Sequence, residues 1–236
     1  MYKISFILTT LNEEDLIAKI INEIRTQTKL YEIIVIDDLS SDNTIDIIKN
    51  YNDENIKIFI RDFNTGLGSA IVSGIFHSSG DLVCWLDVSM DYHVKNIIKA
   101  SKAIDEYDII LFSRYIKDGG DFRALKRIIP SKIINLFARF VLTSSITDYT
   151  GGLFLYKRSI LKNILPLAIG HGNYFIDFIY RCKVNGLKIK QLPVVYKGEI
   201  LEEKSKTFKN IISFLILGLR YLITIILTKL KKYIKI

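Results

Sequence analysis

The sequence predicts an α/β fold: a mostly parallel sheet flanked by helices. Two observations carry this. Short apolar runs alternate with amphipathic stretches, the pattern of successive βαβ units. Each run also ends in a cluster of polar residues, and in such sheets ligands collect outside the carboxyl ends of the strands. With 49% apolar residues in 236, the chain can bury a substantial core.

The first run, Ile4 to Leu8, is too short for a signal peptide and passes directly into Thr9-Thr10-Leu11-Asn12-Glu13, so it reads as a strand of a cytoplasmic protein. A helical pattern from Asp15 to Arg25 leads to a second strand, Ile33 to Ile36, which ends at Asp37-Asp38. The turn from Asp37 to Thr44 is rich in Asp, Ser and Asn, as a helix start should be, and Thr44 to Tyr51 follows as a helix. Strand Ile56 to Ile60 ends at Arg61-Asp62-Phe63-Asn64, and Gly66-Leu67-Gly68 opens a helix to His77 where backbone can approach a ligand closely. Strand Leu82 to Leu86 leads to Asp87 and Asp91; a helix from Val94 to Ile104 and a strand from Ile109 to Phe112, ending at Ser113-Arg114, complete the alternation.

Beyond Arg114 the pattern changes. A polar loop spans 115–124, and residues 125–142 form a helix with Leu125, Ile128, Ile129, Ile133, Leu136, Phe137 and Phe140 interleaved with Arg123, Lys126, Arg127, Lys132 and Arg139. That helix is either a core element with a solvated face or one lying on a membrane surface. A strand at Leu153 to Tyr156, a helix at Asn173 to Val184 and a strand at Leu187 to Tyr196 finish a domain of residues 1–206. Cys84 and Cys182 lack CxxC spacing and read as buried free thiols. His77, His93 and His171 show no metal spacing with one another and read as incidental.

Residues 207–236 form a basic, apolar appendage. From 204 onward the chain carries eight bases and no acid, so the whole net charge of +8 sits there. The same segment holds long apolar runs, which nucleic-acid arms lack, so a membrane surface is the expected anionic partner and nucleic acid is not. Residues 211–228 are just long enough to span a bilayer, but Arg220 near their middle would cost about 2.5–3.5 kcal/mol there. An interfacial helix at the cytoplasmic face is therefore expected in preference to a span.

Two carboxylates four residues apart at a strand tip, Asp87 and Asp91, can cap a turn or hold a divalent cation such as Mg²⁺ or Mn²⁺, which takes oxygen ligands from one or two carboxylates and from substrate phosphates. Asp37-Asp38 suits sugar hydroxyls and base N–H groups as well as a helix start; both uses are compatible.

Six segments occurring in order, Thr9 to Glu14, Val35 to Thr44, Arg61 to Ala70, Leu86 to Asp91, Ser113-Arg114-Tyr115 with Gly119-Gly120, and Asp148 to Gly152, together resemble family 2 glycosyltransferases of the polyprenyl-phosphate type. The resemblance runs from about residue 3 to 206. It implies a GT-A fold, a GDP- or UDP-sugar donor, Mg²⁺ or Mn²⁺, and a polyprenyl (dolichyl or undecaprenyl) phosphate acceptor at the cytoplasmic membrane face. By the same resemblance Thr9, Leu11, Glu13, Asp37 and Asp38 surround the nucleoside, Arg61 and Gly68 lie near ribose or diphosphate, and Asp87, Ser89 and Asp91 are metal positions. Arg114, Arg127 and Ser131 hold the lipid phosphate, Asp148 orients sugar or acceptor unless it caps its own turn, and Asp177 is a helix acid that contacts sugar or acceptor loop unless it is simply satisfied within its helix. Asp87, Asp91, Arg114 and Asp148 are thus the expected catalytic set.

The chain departs from the family pattern at Ser89, where relatives carry a second Asp, at Phe154, where they carry Arg, and at Ile200 to Lys206, where Ser205 and Lys206 remain and Lys204 stands in as a diphosphate cation. Two other functions stay open: a related transferase acting on a glycan or lipid-linked saccharide, and an inactive nucleotide-binding membrane scaffold.

Overall fold

A computed structural model describes residues 1–62, 66–197 and 211–231, and of Asp91 and residues 211–214 the backbone alone. The strands are β1 (Ile4–Thr10), β2 (Tyr31–Asp37), β3 (Ile56–Ile60), β4 (Leu82–Trp85), β5 (Ile109–Ser113), β6 (Gly120–Asp121), β7 (Phe154–Lys157), β8 (Ile189–Pro193) and β9 (Val195–Tyr196). The helices are α1 (Ile17–Gln27), α2 (Thr44–Lys49), α3 (Leu67–His77), α4 (Val94–Ala100), α5 (Leu125–Val141), α6 (Asn173–Val184) and α7 (Ile211–Lys231).

Seven strands form one sheet in the order β3-β2-β1-β4-β7-β5-β8, and β7 alone runs antiparallel to its neighbours. The carboxyl ends of β1 to β5 therefore share one edge, which brings together the polar clusters that follow them. Both sheet faces are covered, so strands read as continuous apolar runs rather than alternating ones. Phe6, Leu8, Ile33, Val35, Cys84 and Phe112 pack under α1, α2 and α4, while Ile7, Val83, Trp85 and Leu111 face α3, α5 and α6. Cys84 and Cys182 are buried and unpaired, and burial raises both thiols, Cys182 to about 12.

The expected strand Leu187 to Tyr196 divides. Its first part, β8, pairs with β5; its second, β9, pairs with β6 in a separate two-stranded ribbon. The break falls at Val194, whose amide still reaches Ser113 O at 3.1 Å while its carbonyl accepts from the Gly120 amide at 3.0 Å. A chain that leaves one sheet for another cannot be distinguished from one long strand by its apolar pattern.

The C-terminal helix α7 is docked on α5 and α6. Ile225 is fully buried, Asn173 Nδ2 donates to Thr224 Oγ1 at 2.6 Å, and Thr228 Oγ1 donates to Asp177 Oδ1 at 3.1 Å. Asp177 also takes Arg181 Nε at 2.7 Å and lies 3.5 Å from Lys231 Nζ. Its expected contact with sugar or acceptor is thereby replaced: a fully buried carboxylate surrounded by these donors ties α7 to α6. Among the described residues no helix is long and apolar enough to cross a membrane.

At the opposite edge of the sheet, Glu32 is buried and accepts from Ser5 Oγ, the Ser79 amide and hydroxyl, and Lys57 Nζ. Burial alone would raise its carboxyl, but these donors prevail and bring it down to about 2 from 4.5. A depressed folded-state pKa gives stability that is present above pH 4.5 and is lost as pH falls toward 2. Glu32→Gln is expected to lose about 1–3 kcal/mol at pH 7 in urea unfolding and to flatten the acid limb of the stability curve in that window.

Candidate active site

The loops after β1 and β2 are laced together at the sheet edge. The Asn12 and Glu13 amides donate to Ser40 Oγ and Thr44 Oγ1, each at 2.8 Å, and the Ser41 amide donates to Asn12 Oδ1 at 2.7 Å. Asp37 is the knot of this lacing. It is fully buried and accepts from Thr10 Oγ1 at 2.6 Å and from the Ser40 amide and hydroxyl at 2.8 and 2.6 Å. Asp37 therefore builds the turn, the helix-start use of the Asp-rich segment, and no face of it is open to a nucleoside.

Asp38, next along, is paired with Arg61, which also donates from Nη1 to Ser69 Oγ at 2.8 Å. Burial pushes the Asp38 carboxyl up against the opposing pull of Arg61. Thr9 Oγ1 accepts from Trp85 Nε1 at 3.4 Å, and Leu11 is half-buried beside this edge. Gly68 is used differently from the expectation that it meets ribose or diphosphate. Its amide donates to Gly170 O at 2.9 Å, and a Cβ there would sit 2.5 Å from Ile169 O. The start of α3 thus docks the 169–172 loop, and only a residue without a side chain permits that approach.

Asp87 follows β4. Its Oδ1 accepts from the Ser89 amide at 3.0 Å and from Ser89 Oγ at 2.6 Å, so Ser89 orients the carboxylate. Its other oxygen accepts no hydrogen bond among the described residues, the condition of a carboxylate that can take a divalent cation. Among the described residues no three His, Cys, Asp or Glu side chains gather into a metal cluster. A cation held here would draw on Asp87, on Asp91, which the short 3-10 segment Val88–His93 carries nearby, and on substrate phosphate and water.

Beside this lies a cavity of about 170 Å³. It is lined by the polar side chains of Arg123, Arg127, Ser131 and Thr150, by His171, Tyr174 and Tyr221, and by Trp85 and Gly152. Arg127 and Ser131 stand where they were expected, on α5 and open to the cavity.

Arg114 and Asp148 do not. Neither side chain is exposed at all (0%/0%). Asp148 accepts Arg114 Nε and Nη2 at 2.8 and 2.9 Å and the amides of Arg114 and Thr150 at 3.1 and 3.0 Å. Arg114 further donates to Asp121 Oδ2 at 2.9 Å and to Thr150 Oγ1 at 2.7 Å, and its guanidinium lies between the rings of Tyr115 and Tyr196, 4.9 and 5.0 Å away. Four of its five N–H groups are thereby used, so a direct grip on a lipid phosphate is not available to it. Asp148, expected to orient sugar or acceptor, caps the 148–151 turn instead. Burial would raise its carboxyl, but the Arg114 charge and hydrogen bonds hold it below the usual range.

The pair acts on the cavity through its neighbours. Thr150 Oγ1 shares a hydrogen bond with Ser131 Oγ at 2.8 Å, and Asp121, held by Arg114, takes Arg123 Nε and Nη2 at 2.8 and 2.7 Å. Arg123, Thr150 and His171 are site residues that sequence reasoning missed. The available signals were slight: a base two residues past Asp121, and a ring set between Gly170 and Gly172 just before a helix. Although His171 is exposed as a residue, partial desolvation lowers its imidazole pKa; the Asp87 charge opposes this and the Arg127 charge adds to it. Lys204 and Lys206, together with Phe63, Asn64, Thr65 and Ser205, lie outside the described residues.

A sheet of this topology, with acids and an arginine at its carboxyl edge and a basic cavity beside them, is that of a GT-A-type glycosyltransferase. The model of the family "Glycosyl transferase family 2" matches residues 5–165, and the chain belongs to that family. It is 26% identical over 216 residues to a polyprenol monophosphomannose synthase of Mycolicibacterium smegmatis, covering 87% of this chain and 81% of that one. It is 29% identical over 171 residues to an undecaprenyl-phosphate 4-deoxy-4-formamido-L-arabinose transferase of Yersinia pestis, covering 69% of this chain and 51%, about half, of that protein. Among solved structures, glucosyl-3-phosphoglycerate synthase of Mycobacterium tuberculosis, in complex with Mn²⁺, UDP-glucose and phosphoglyceric acid, superposes with a TM-score of 0.72 at 16% identity, over 97% of this chain and 80% of that one. That likeness establishes the shared fold.

Lysine cannot reproduce the fork that holds Asp148, Asp121 and Thr150 together. Arg114→Lys is expected to cost about 2–4 kcal/mol in urea unfolding, because it leaves buried carboxylates short of partners. Arg127→Ala, at the cavity wall, should stay within about 1 kcal/mol of the parent protein in the same experiment.

Proposed function

We propose that the chain transfers a sugar from a nucleotide-diphosphate sugar to a polyprenyl phosphate, with inversion at the anomeric carbon, at the cytoplasmic membrane face. The observation that carries this is the cavity in which Arg123, Arg127 and Ser131 converge beside Asp87: a basic phosphate seat next to the carboxylate that faces the donor. The names of the two sequence relatives support the same acceptor class. The sheet edge with Thr9, Leu11, Asp38 and Arg61 is the donor side, where Arg61 and its partner Asp38 present a charged pair to ribose or diphosphate. Glu13 belongs to the same side, and Lys204 and Lys206, which lie outside the described residues, carry the role of diphosphate cations by the family resemblance alone.

A phosphate monoester has its second pKa near 6 and is therefore an anionic nucleophile at neutral pH, so no general base is needed. Its oxygen forms the new bond to the anomeric carbon as the bond to the nucleoside diphosphate breaks and the diphosphate leaves with the electron pair. Guanidinium forks at Arg127 and Arg123 hold the attacking phosphate, and the Ser131 hydroxyl, fixed by Thr150, orients it. Asp87 and Asp91, with Ser89 holding the Asp87 carboxylate in place, would hold Mg²⁺ or Mn²⁺. When bound, that ion neutralises charge building on the departing diphosphate. A glycan hydroxyl as acceptor would need a base in this cavity; its basic wall suits a phosphate.

The membrane reading rests on two matching stripes. On α5, Leu125, Ile129, Ile133, Leu136 and Phe140 are exposed; on α7, Leu215, Leu219, Ile223, Ile226 and Leu230 are exposed at the same spacing. Both sequences of steps, four, four, three and four, keep one helix face. The two helices pack side by side, and Lys126, Lys132, Arg139, Arg220 and Lys229 flank the stripes as headgroup partners.

Radiolabelled sugar should pass from a nucleotide sugar into an organic-extractable, mild-acid-labile lipid in the presence of Mn²⁺. Asp87→Asn is expected to slow that transfer by about 100-fold or more; turnover unchanged by this substitution contradicts the proposed role of Asp87. In vesicle co-sedimentation the protein should bind bilayers containing anionic lipid. Leu136→Glu together with Phe140→Glu should reduce that binding by at least about tenfold with the fold intact, by removing two exposed apolar side chains worth about 1.5–3 kcal/mol each if fully buried.

A further inference from the structure

The imidazole of His171 lines the same cavity and has no part in the mechanism above. His171 lines it together with Arg127 and Ser131, on the loop that precedes α6 and packs against the start of α3 and against α7. The loop is held from both sides: Gly170 O accepts from the Gly68 amide at 2.9 Å, and Asn173 Nδ2 donates to Thr224 Oγ1 and Arg220 O at 2.6 and 3.2 Å. A ring on so fixed a backbone has little freedom beyond its own rotamer.

Tyr221 of α7 removes much of the rest. Its hydroxyl lies 3.4 Å from His171 Nδ1. The approach depends on Gly172, where a Cβ would come within 2.7 Å of that hydroxyl. A phenol that donates its hydrogen to Nδ1 selects one tautomer of the ring. The imidazole then carries its proton on Nε2, the nitrogen left for the cavity.

We propose that His171 is a contact residue for the acceptor phosphate, donating from Nε2–H into the cavity that Arg127 also lines, and that Tyr221 is a positioning residue that fixes its tautomer and orientation. The inference deepens the functional reading above and rests on it. Arg127 and Ser131 grip the phosphate from α5, while His171 reaches it from the loop before α6. A helix with an exposed apolar stripe thereby sets a hydrogen-bond donor in the acceptor seat.

The test is steady-state kinetics with a nucleotide sugar and a short prenyl phosphate such as geranyl phosphate. His171→Ala is expected to raise the KM for the prenyl phosphate about tenfold, the worth of one charge-assisted hydrogen bond, and to leave the donor KM within about twofold. His171→Gln, which restores an N–H donor, should recover most of the loss. Tyr221→Phe should raise the acceptor KM about threefold in the parent background and not at all in His171→Ala, because its effect passes through the imidazole. Melting temperatures of the variants check that each is folded. An acceptor KM unmoved by His171→Ala, or effects of Tyr221→Phe and His171→Ala that simply multiply, overturns the inference and leaves the transferase reading standing. A parent protein that converts no prenyl phosphate overturns that reading, and the role of His171 with it.

Discussion

A buried ion pair, Arg114 with Asp148, holds the acceptor half of this molecule together. Water has no access to either side chain, so each charge depends on the other and on the groups around them. Such a pair adds little net stability over an apolar replacement, but breaking it is costly because the partner is left charged and unmatched. The consequence is geometric. Arg114 at the end of β5 reaches the turn before β7, the β6 ribbon through Asp121, and Thr150 at the cavity wall. The end of β5, the β6 ribbon and the 148–151 turn are thereby held around one cation, and the polar wall facing the cavity is the outer surface of that cluster.

A division of labour follows. The buried arginine supports; the half-exposed ones, Arg123 and Arg127, face the cavity. Asp37 and Asp38 show the same division on the donor side, where one carboxylate is consumed in lacing two loops and the next pairs with Arg61. At the end of β4 Ser89 and Asp87 repeat it, the hydroxyl holding one carboxylate oxygen and leaving the other.

That division is what the sequence could not reveal. The alternation of apolar runs and amphipathic stretches made the sheet, its helices and its functional edge legible, because both depend on periodicity and on where strands stop. The six ordered segments made the family legible. Which of two neighbouring polar residues is turned inward depends on long-range partners, so Arg114 and Asp148 read as ligand contacts when they are each other's. Gly68 read as a place for phosphate, but its amide is occupied by Gly170, a residue about a hundred positions away in the chain. His171 showed nothing by spacing, because its partners lie on α5 and α7. The tail was legible as basic and apolar, but its docking through Asp177, Thr228 and Ile225 depends on tertiary contacts that no local pattern encodes.

The central claim, that Arg114 is a buried support and the arginines of the cavity wall are the grip, can be read directly from guanidinium NMR signals. Titration of ¹⁵N-arginine-labelled protein with geranyl phosphate should shift and sharpen the Nε–H resonances of Arg127 and Arg123, while that of Arg114 stays in place and remains slow to exchange with solvent. An Arg114 signal that moves with the ligand while Arg127 stays silent would contradict the account.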